Sequence, residues 1–216
     1  MHIPDGFLDA KTWVSALAVS TGALGYSIAK TREQLSDRQI PRLGVMAAFV
    51  FAAQMINFPI VGGTSGHLLG AALATALLGP WSASIILATV LMIQCFVFQD
   101  GGLTALGANI LNMGIVGVLA ATALYSPLSR LIKGKTGVAL ASFAAAWASV
   151  MAAAFMVSLE LAFSGTAPLA VTLPAMLGVH AIIGIGEGVI TAAVVLAVLN
   201  VGFAPDRWRK GEHCGE

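Results

Sequence analysis

The dipeptide Met1-His2 at the head of the chain is a chelator by composition. A free α-amine, the amide nitrogen of His2 and the Nδ1 of its imidazole close two fused rings on one metal ion once the amide proton is lost, and the three nitrogens then share a plane. Losing that proton calls for a metal that strongly favours planar nitrogen coordination, which points to Cu(II) or Ni(II) rather than Zn(II) or Mg(II). A fourth in-plane donor is required, and His67, at the end of "PIVGGTSGH" (59–67), is the candidate. Pro4 has no N–H with which to extend the chelate, and "PDG" is a turn signal that would fold the terminus back. One feature opposes the site: if Ser65 caps a helix starting near His67, the positive end of that helix disfavours a cation, and the amide anion offsets only part of this.

The elements that must position these residues are apolar. Of 216 residues 58% are hydrophobic and 10% charged, against about a quarter charged in an average soluble domain; the mean hydropathy is +0.89. This is the composition of an integral membrane protein. A net charge of +1 speaks for neither a nucleic-acid partner nor an acidic substrate. Two cysteines, Cys95 in an apolar run and Cys214 near the end, make no disulfide framework.

Apolar runs near the ~20 residues needed to cross a bilayer fall at about 12–29, 41–56, 64–79, 81–98, 103–126, 137–163 and 175–200. They predict an all-α, polytopic bundle of seven transmembrane helices forming a single transmembrane domain over 1–216. Residues 1–11 form an external metal-binding segment and 205–216 a cytoplasmic tail. Ten of the eleven basic residues, from Lys30 to Lys210, lie on the side reached after an odd number of crossings, and Lys11 alone lies opposite. The positive-inside rule therefore puts the N-terminus outside and the C-terminus in the cytoplasm. "MHIPDGFLD" has no basic n-region and no cleavage site after an apolar stretch, so Met1 is expected to remain. The runs on either side of residues 59–67 are short, so that stretch should dip into the outer half of the membrane. Irregular backbone at that depth is tolerated only where it is buried in protein or lines a cavity, which places His67 in an outward-opening pocket.

Other polar residues fit supporting roles. His180 and Glu187 are seven apart, on one face of the last helix, and could orient a ligand imidazole or be satisfied groups inside the bundle. Asp5 could hold the N-terminal loop, and Ser65 adjoins His67. Ala48 and Ala52 form a small-xxx-small pair suited to helix contact, as do Ala18 and Gly22. No Walker A sequence occurs, so ATP hydrolysis is not expected within the chain. A competing class is an intramembrane serine protease of rhomboid type, with "GTSG" (63–66) supplying Ser65 and His180 as its base. It leaves "MHIPDG" unexplained.

"MHIPDGFLD" taken together with "GGTSGHLLGAAL" resembles the NikM/CbiM family, the substrate-binding (S) components of energy-coupling factor transporters for nickel and cobalt, over essentially the whole chain. The resemblance implies capture of Ni(II) or Co(II) outside by Met1, His2 and His67, with no organic cofactor. It also implies delivery inward in the prokaryotic plasma membrane with a transmembrane coupling (T) subunit, two cytoplasmic ATPase subunits and a small accessory membrane subunit. In such assemblies the small-residue face at Ala48 and Ala52 would meet the coupling subunit. Many cobalt members carry a signal peptide ahead of the histidine motif, and its absence here leans toward nickel.

Overall fold

In the computed structural model, residues 1–34 and 39–201 are described; the expected tail at 205–216 lies outside them. The described residues form seven helices: α1 (Ala10–Gln34), α2 (Ile40–Gln54), α3 (Ala71–Leu78), α4 (Pro80–Phe98), α5 (Leu106–Leu131), α6 (Gly134–Phe163) and α7 (Leu169–Asn200). Each falls on one of the apolar runs. Four of them, α4 to α7, are long and apolar enough to cross a membrane, and the protein is an integral membrane protein. By contrast α1 is long but sprinkled with Ser, Thr and charges, α2 has 15 residues and α3 has eight.

The apolar run at 64–79 yields only eight helical residues because glycines at 62, 63, 66 and 70 break its first half. Gly70 takes φ +78°, and a Cβ there would also meet Val50 at 2.9 Å, so only glycine can turn the chain into α3 at this point. The helix that follows is buried along almost its whole length against α4, α5, α6 and α7. Its sequence "AALATALL" is apolar all round, as a helix surrounded by protein should be.

Around it, α6 and α7 form the most extensive helix pair, with α5 on the other side of α6; α1 lies against α4 and α5, and α2 against α4. The buried stripe of α6 is Ala141, Ser142, Ala145, Ala146, Ser149, Val150, Ala153, Ala154, Val157, Ser158 and Leu161. Small residues there let backbones come close where lipid supplies no hydrophobic drive. The outer surface exposes Val45, Ile56, Val61, Phe163 and Ile182, an apolar belt suited to lipid.

Between α2 and α3 the chain makes a small antiparallel hairpin, with Phe58 opposite Gly66 and Pro59 opposite Ser65. Its turn closes through Ile60 N–H to Thr64 O and Gly63 N–H to Ile60 O, both 3.0 Å. Residues 110–116 within α5 adopt a π-helical turn. Such turns add a residue to the helical cycle and re-aim side chains; Asn109 and Asn112 both leave the helix here.

Candidate metal centre

The N-terminal segment enters the bundle instead of fraying. Met1 and Ile3 are fully buried and His2 is 5% exposed. Asn109 brackets Ile3, accepting from its N–H at 2.9 Å and donating to its carbonyl at 3.1 Å, while Gly102 N–H donates to the same carbonyl at 2.8 Å. Asp5 accepts from Leu103 N–H, Thr104 N–H and the Thr104 hydroxyl at 3.0, 2.8 and 2.6 Å, bonds that hold its carboxyl below the usual range. A Cβ on Gly102 would lie 2.3 Å from Asp5 N, so the loop must carry glycine where the terminus crosses it. Asp9 caps α1, accepting from Thr12 N–H at 3.0 Å.

The amine and amide at the buried end of this segment meet on one side chain. The Met1 amine donates to the Ser65 carbonyl and, at 2.7 Å, to Ser65 Oγ; the His2 amide N–H donates to the same hydroxyl at 3.1 Å. Ser65 therefore caps no helix: it faces the terminus, and α3 begins beyond it at Ala71 with no side-chain cap. The helix-dipole objection, which rested on that cap, is removed.

The side-chain amide of Gln94 lies 3.1 Å from His2 Nε2 and orients the ring. The Leu68 carbonyl lies 2.8 Å from His67 Nδ1, which leaves the lone pair on Nε2. Neither His2 Nδ1 nor His67 Nε2 has a hydrogen-bond partner among the described residues. The two rings stack with centroids 4.5 Å apart and planes 23° from parallel.

Burial also clears protons from these donors. Desolvation pushes the Met1 amine well below its ordinary value, against the opposing charge of Asp100. It takes His2 down to about 3, helped by the amine. Both are bases whose charged forms are disfavoured where they sit.

The remaining predicted residues lie around this group. Glu187 accepts from Leu69 N–H and from Gly70 N–H, the latter at 2.8 Å, and Gln54 Nε2–H donates to Leu69 O at 2.8 Å, so α7 and α2 pin the chain just after His67. His180 Nδ1–H donates to Met176 O at 2.7 Å. Ser65 and His180 share no hydrogen bond, because Ser65 Oγ serves the amine and amide and His180 is held by its own helix. The protease dyad is not formed, and that reading is corrected. Ala48 and Ala52 are exposed on α2. Gln94, Asn109 and Asp100 escaped the sequence reading. A lone amide in "LATVLMIQCFVF" and another in "LGANILN" were the available signals, since a polar side chain in an apolar helix needs a partner.

Among the described residues no three His, Cys, Asp or Glu side chains close on one point. A metal site here must draw on main-chain nitrogen, which is what the amine and amide offer.

Residues 2–204 match the family model described as the CbiM cobalt uptake substrate-specific transmembrane region. The chain belongs to the CbiM family. It is 33% identical over 209 residues to the cobalt transport protein CbiM 1 of Pelobacter propionicus, covering 93% of this chain and 91% of that one. It is 37% identical over 211 residues to the fused nickel transport protein NikMN of Rhodobacter capsulatus, covering 90% of this chain. It spans only 60% of that fused protein, and 64% of a fused relative from Archaeoglobus fulgidus that is 45% identical over 197 residues. A crystal structure of a transition metal transporter superposes with a TM-score of 0.87 at 31% identity over the full length of both chains. CbiM-family members are metal transporters, not enzymes, and this chain is one of them.

Proposed function

We propose that this CbiM-family chain is the substrate-binding subunit of an ATP-driven importer, taking Ni(II) through the Met1 amine, the amide and Nδ1 of His2, and Nε2 of His67. The observation that carries the reading is the meeting of the Met1 amine and His2 amide at Ser65 Oγ beside the stacked His2 and His67 rings, whose Nδ1 and Nε2 atoms are buried without a hydrogen-bond partner. When the ion binds, the amine and amide exchange Ser65 for metal, the amide proton leaves, and His67 turns from stacking on His2 to meet the chelate edge. Planar nitrogen coordination with an ionised amide favours Ni(II). Co(II) is the second reading, because the ligand set is shared and the relatives' names include both metals.

The rest of the cycle belongs to partners. The seven helical segments, α3 together with the loop ahead of it, carry the chain across the prokaryotic plasma membrane with the N-terminus outside and the tail in the cytoplasm, a reading the distribution of Lys and Arg supports. A T subunit meets the small-residue face of α2, two ATPase subunits supply the energy, and a small accessory membrane subunit completes the assembly.

The test is Ni(II) binding by the purified full chain, compared with a variant carrying one alanine inserted between Met1 and His2 and with His67→Ala. The insertion keeps every side chain but changes the chelate ring sizes. Loss of planar Ni(II) absorption in both supports the reading; unchanged absorption and affinity in both overturns it.

A further inference from the structure

Met1, Ile3, His2 and His67 are sealed from solvent, so a hydrated cation needs a group that touches a donor atom and also reaches water. Asp100 does both. Its Oδ1 lies 3.4 Å from His2 Nδ1, and its side chain is 21% exposed against 3% for His2. Nδ1, the ring nitrogen the chelate uses, makes no hydrogen bond, so a carboxylate oxygen that reaches water stands beside an inner donor atom, close enough for one cation to pass between them.

The carboxylate is also held in place. Asp100 Oδ2 accepts from Asn57 Nδ2–H at 2.8 Å, and Asp100 N–H donates to Gln94 O at 3.0 Å, where α4 ends in a left-handed turn at Gln99. The other acidic groups near the terminus are already committed, Asp5 to the amides of Leu103 and Thr104 and Glu187 to those of Leu69 and Gly70. Asp100 is the carboxylate whose field reaches the Met1 amine. A divalent ion with one ionised amide retains a single positive charge, and one carboxylate balances it.

We propose that Asp100 is the receiving carboxylate for the transported divalent cation: it takes the hydrated ion at the rim and passes it to His2 Nδ1 as the chelate closes. This rests on the reading that Met1, His2 and His67 hold the metal. In the transfer a coordinated water leaves, the Nδ1 lone pair takes its place, and the carboxylate remains alongside as counter-charge.

The experiment is stopped-flow mixing of nickel chloride with the full chain in nanodiscs across a range of salt, for wild type, Asp100→Asn and Asp100→Glu. Asparagine keeps the size and an acceptor for Asn57 but removes the charge. The expected result is association slowed about tenfold at low salt and a flattened salt dependence in Asp100→Asn, dissociation quickened by the lost counter-charge, the planar spectrum unchanged, and recovery of both rates in Asp100→Glu. Three results would overturn the proposal: wild-type association and salt slope in Asp100→Asn, a defect confined to dissociation, or an Asp100→Glu variant no better than Asp100→Asn. If wild type itself shows no planar Ni(II) absorption, the assignment of the metal ligands fails first, independently of Asp100.

Discussion

His67 lies face to face with His2, ring centroids 4.5 Å apart, while its Nδ1–H is tied to the carbonyl of Leu68. A planar chelate contains the His2 ring in its own plane, so a fourth donor must approach that plane edge-on. Stacked rings bring His67 to the site without putting its Nε2 in line. Closure on a metal is thus a rotation of one ring, and the loop carrying it is pinned at Leu69 and Gly70.

That pin predicts the behaviour of Glu187. Replacing it by alanine leaves the N–H groups of Leu69 and Gly70 without their acceptor inside the bundle, and a buried unsatisfied donor costs about 1–3 kcal/mol. Glu187→Ala should lower thermal stability and weaken metal affinity together, whereas Glu187→Gln, which keeps an acceptor, should lose less of both. Thermal unfolding in detergent with and without Ni(II) reads this. An alanine variant as stable as wild type would contradict the contact.

Gln94 should matter for affinity more than for folding. Its amide holds the His2 ring through Nε2 at 3.1 Å, and removing a group that orients a ligand imidazole typically costs roughly 10–100-fold in metal affinity. Gln94→Leu fills the same space without the amide. Titration calorimetry should show the weaker binding with an unchanged helical circular dichroism spectrum.

Proton release gives a sharper check. At ordinary values the amine near 7.7–8.0 and His near 6.5 would shed protons at pH 7 in addition to the amide, more than two in all. Burial lowers the amine and His2, so on docking the terminus gives up those protons and chiefly the amide proton remains to be lost. Calorimetry in buffers of different ionisation enthalpy should therefore count about one proton per Ni(II). The sign is fixed: metal displaces a proton, so affinity rises about tenfold per pH unit between about pH 6 and 8 and falls in acid. A flat profile would rule out amide coordination.

Ala48 and Ala52 are exposed on α2 and distant in sequence from the metal donors. Ala48→Trp should leave Ni(II) binding by the isolated chain unchanged while reducing uptake in cells that supply the coupling and ATPase subunits. Equal uptake by the variant would move the partner surface elsewhere, with Ala18 and Gly22 of α1 the next face to try.

That Met1, His2 and His67 lie together was legible because their types are rare in such a chain: Met1-His2 has the make-up of a chelate, and His67 is conspicuous among glycines. The seven helical segments were legible as apolar runs. Two kinds of fact were not. The start of α3 at Ala71 depends on Gly70 turning left-handed against Val50, a tertiary contact that hydropathy does not carry. The partners Gln94, Asn109 and Asp100 come from α4, the loop after it and the head of α5, and only packing reveals that they converge on residues 1–3. Ser65 was visible but misread: a serine two residues ahead of His67 and the apolar stretch after it suggests a cap, and the incoming amine claimed it first.

The brevity of α3 bears on what an ion beside it can bind. Eight residues make a rod about 12 Å long, beside a hydrocarbon layer of ~30 Å. Yet it is built from Ala, Leu and one Thr, carries no charge, and is packed on every side. Beside His67 the chain thus sets an uncharged, closely packed rod that offers a cation or a proton no ligand along its length except Thr75.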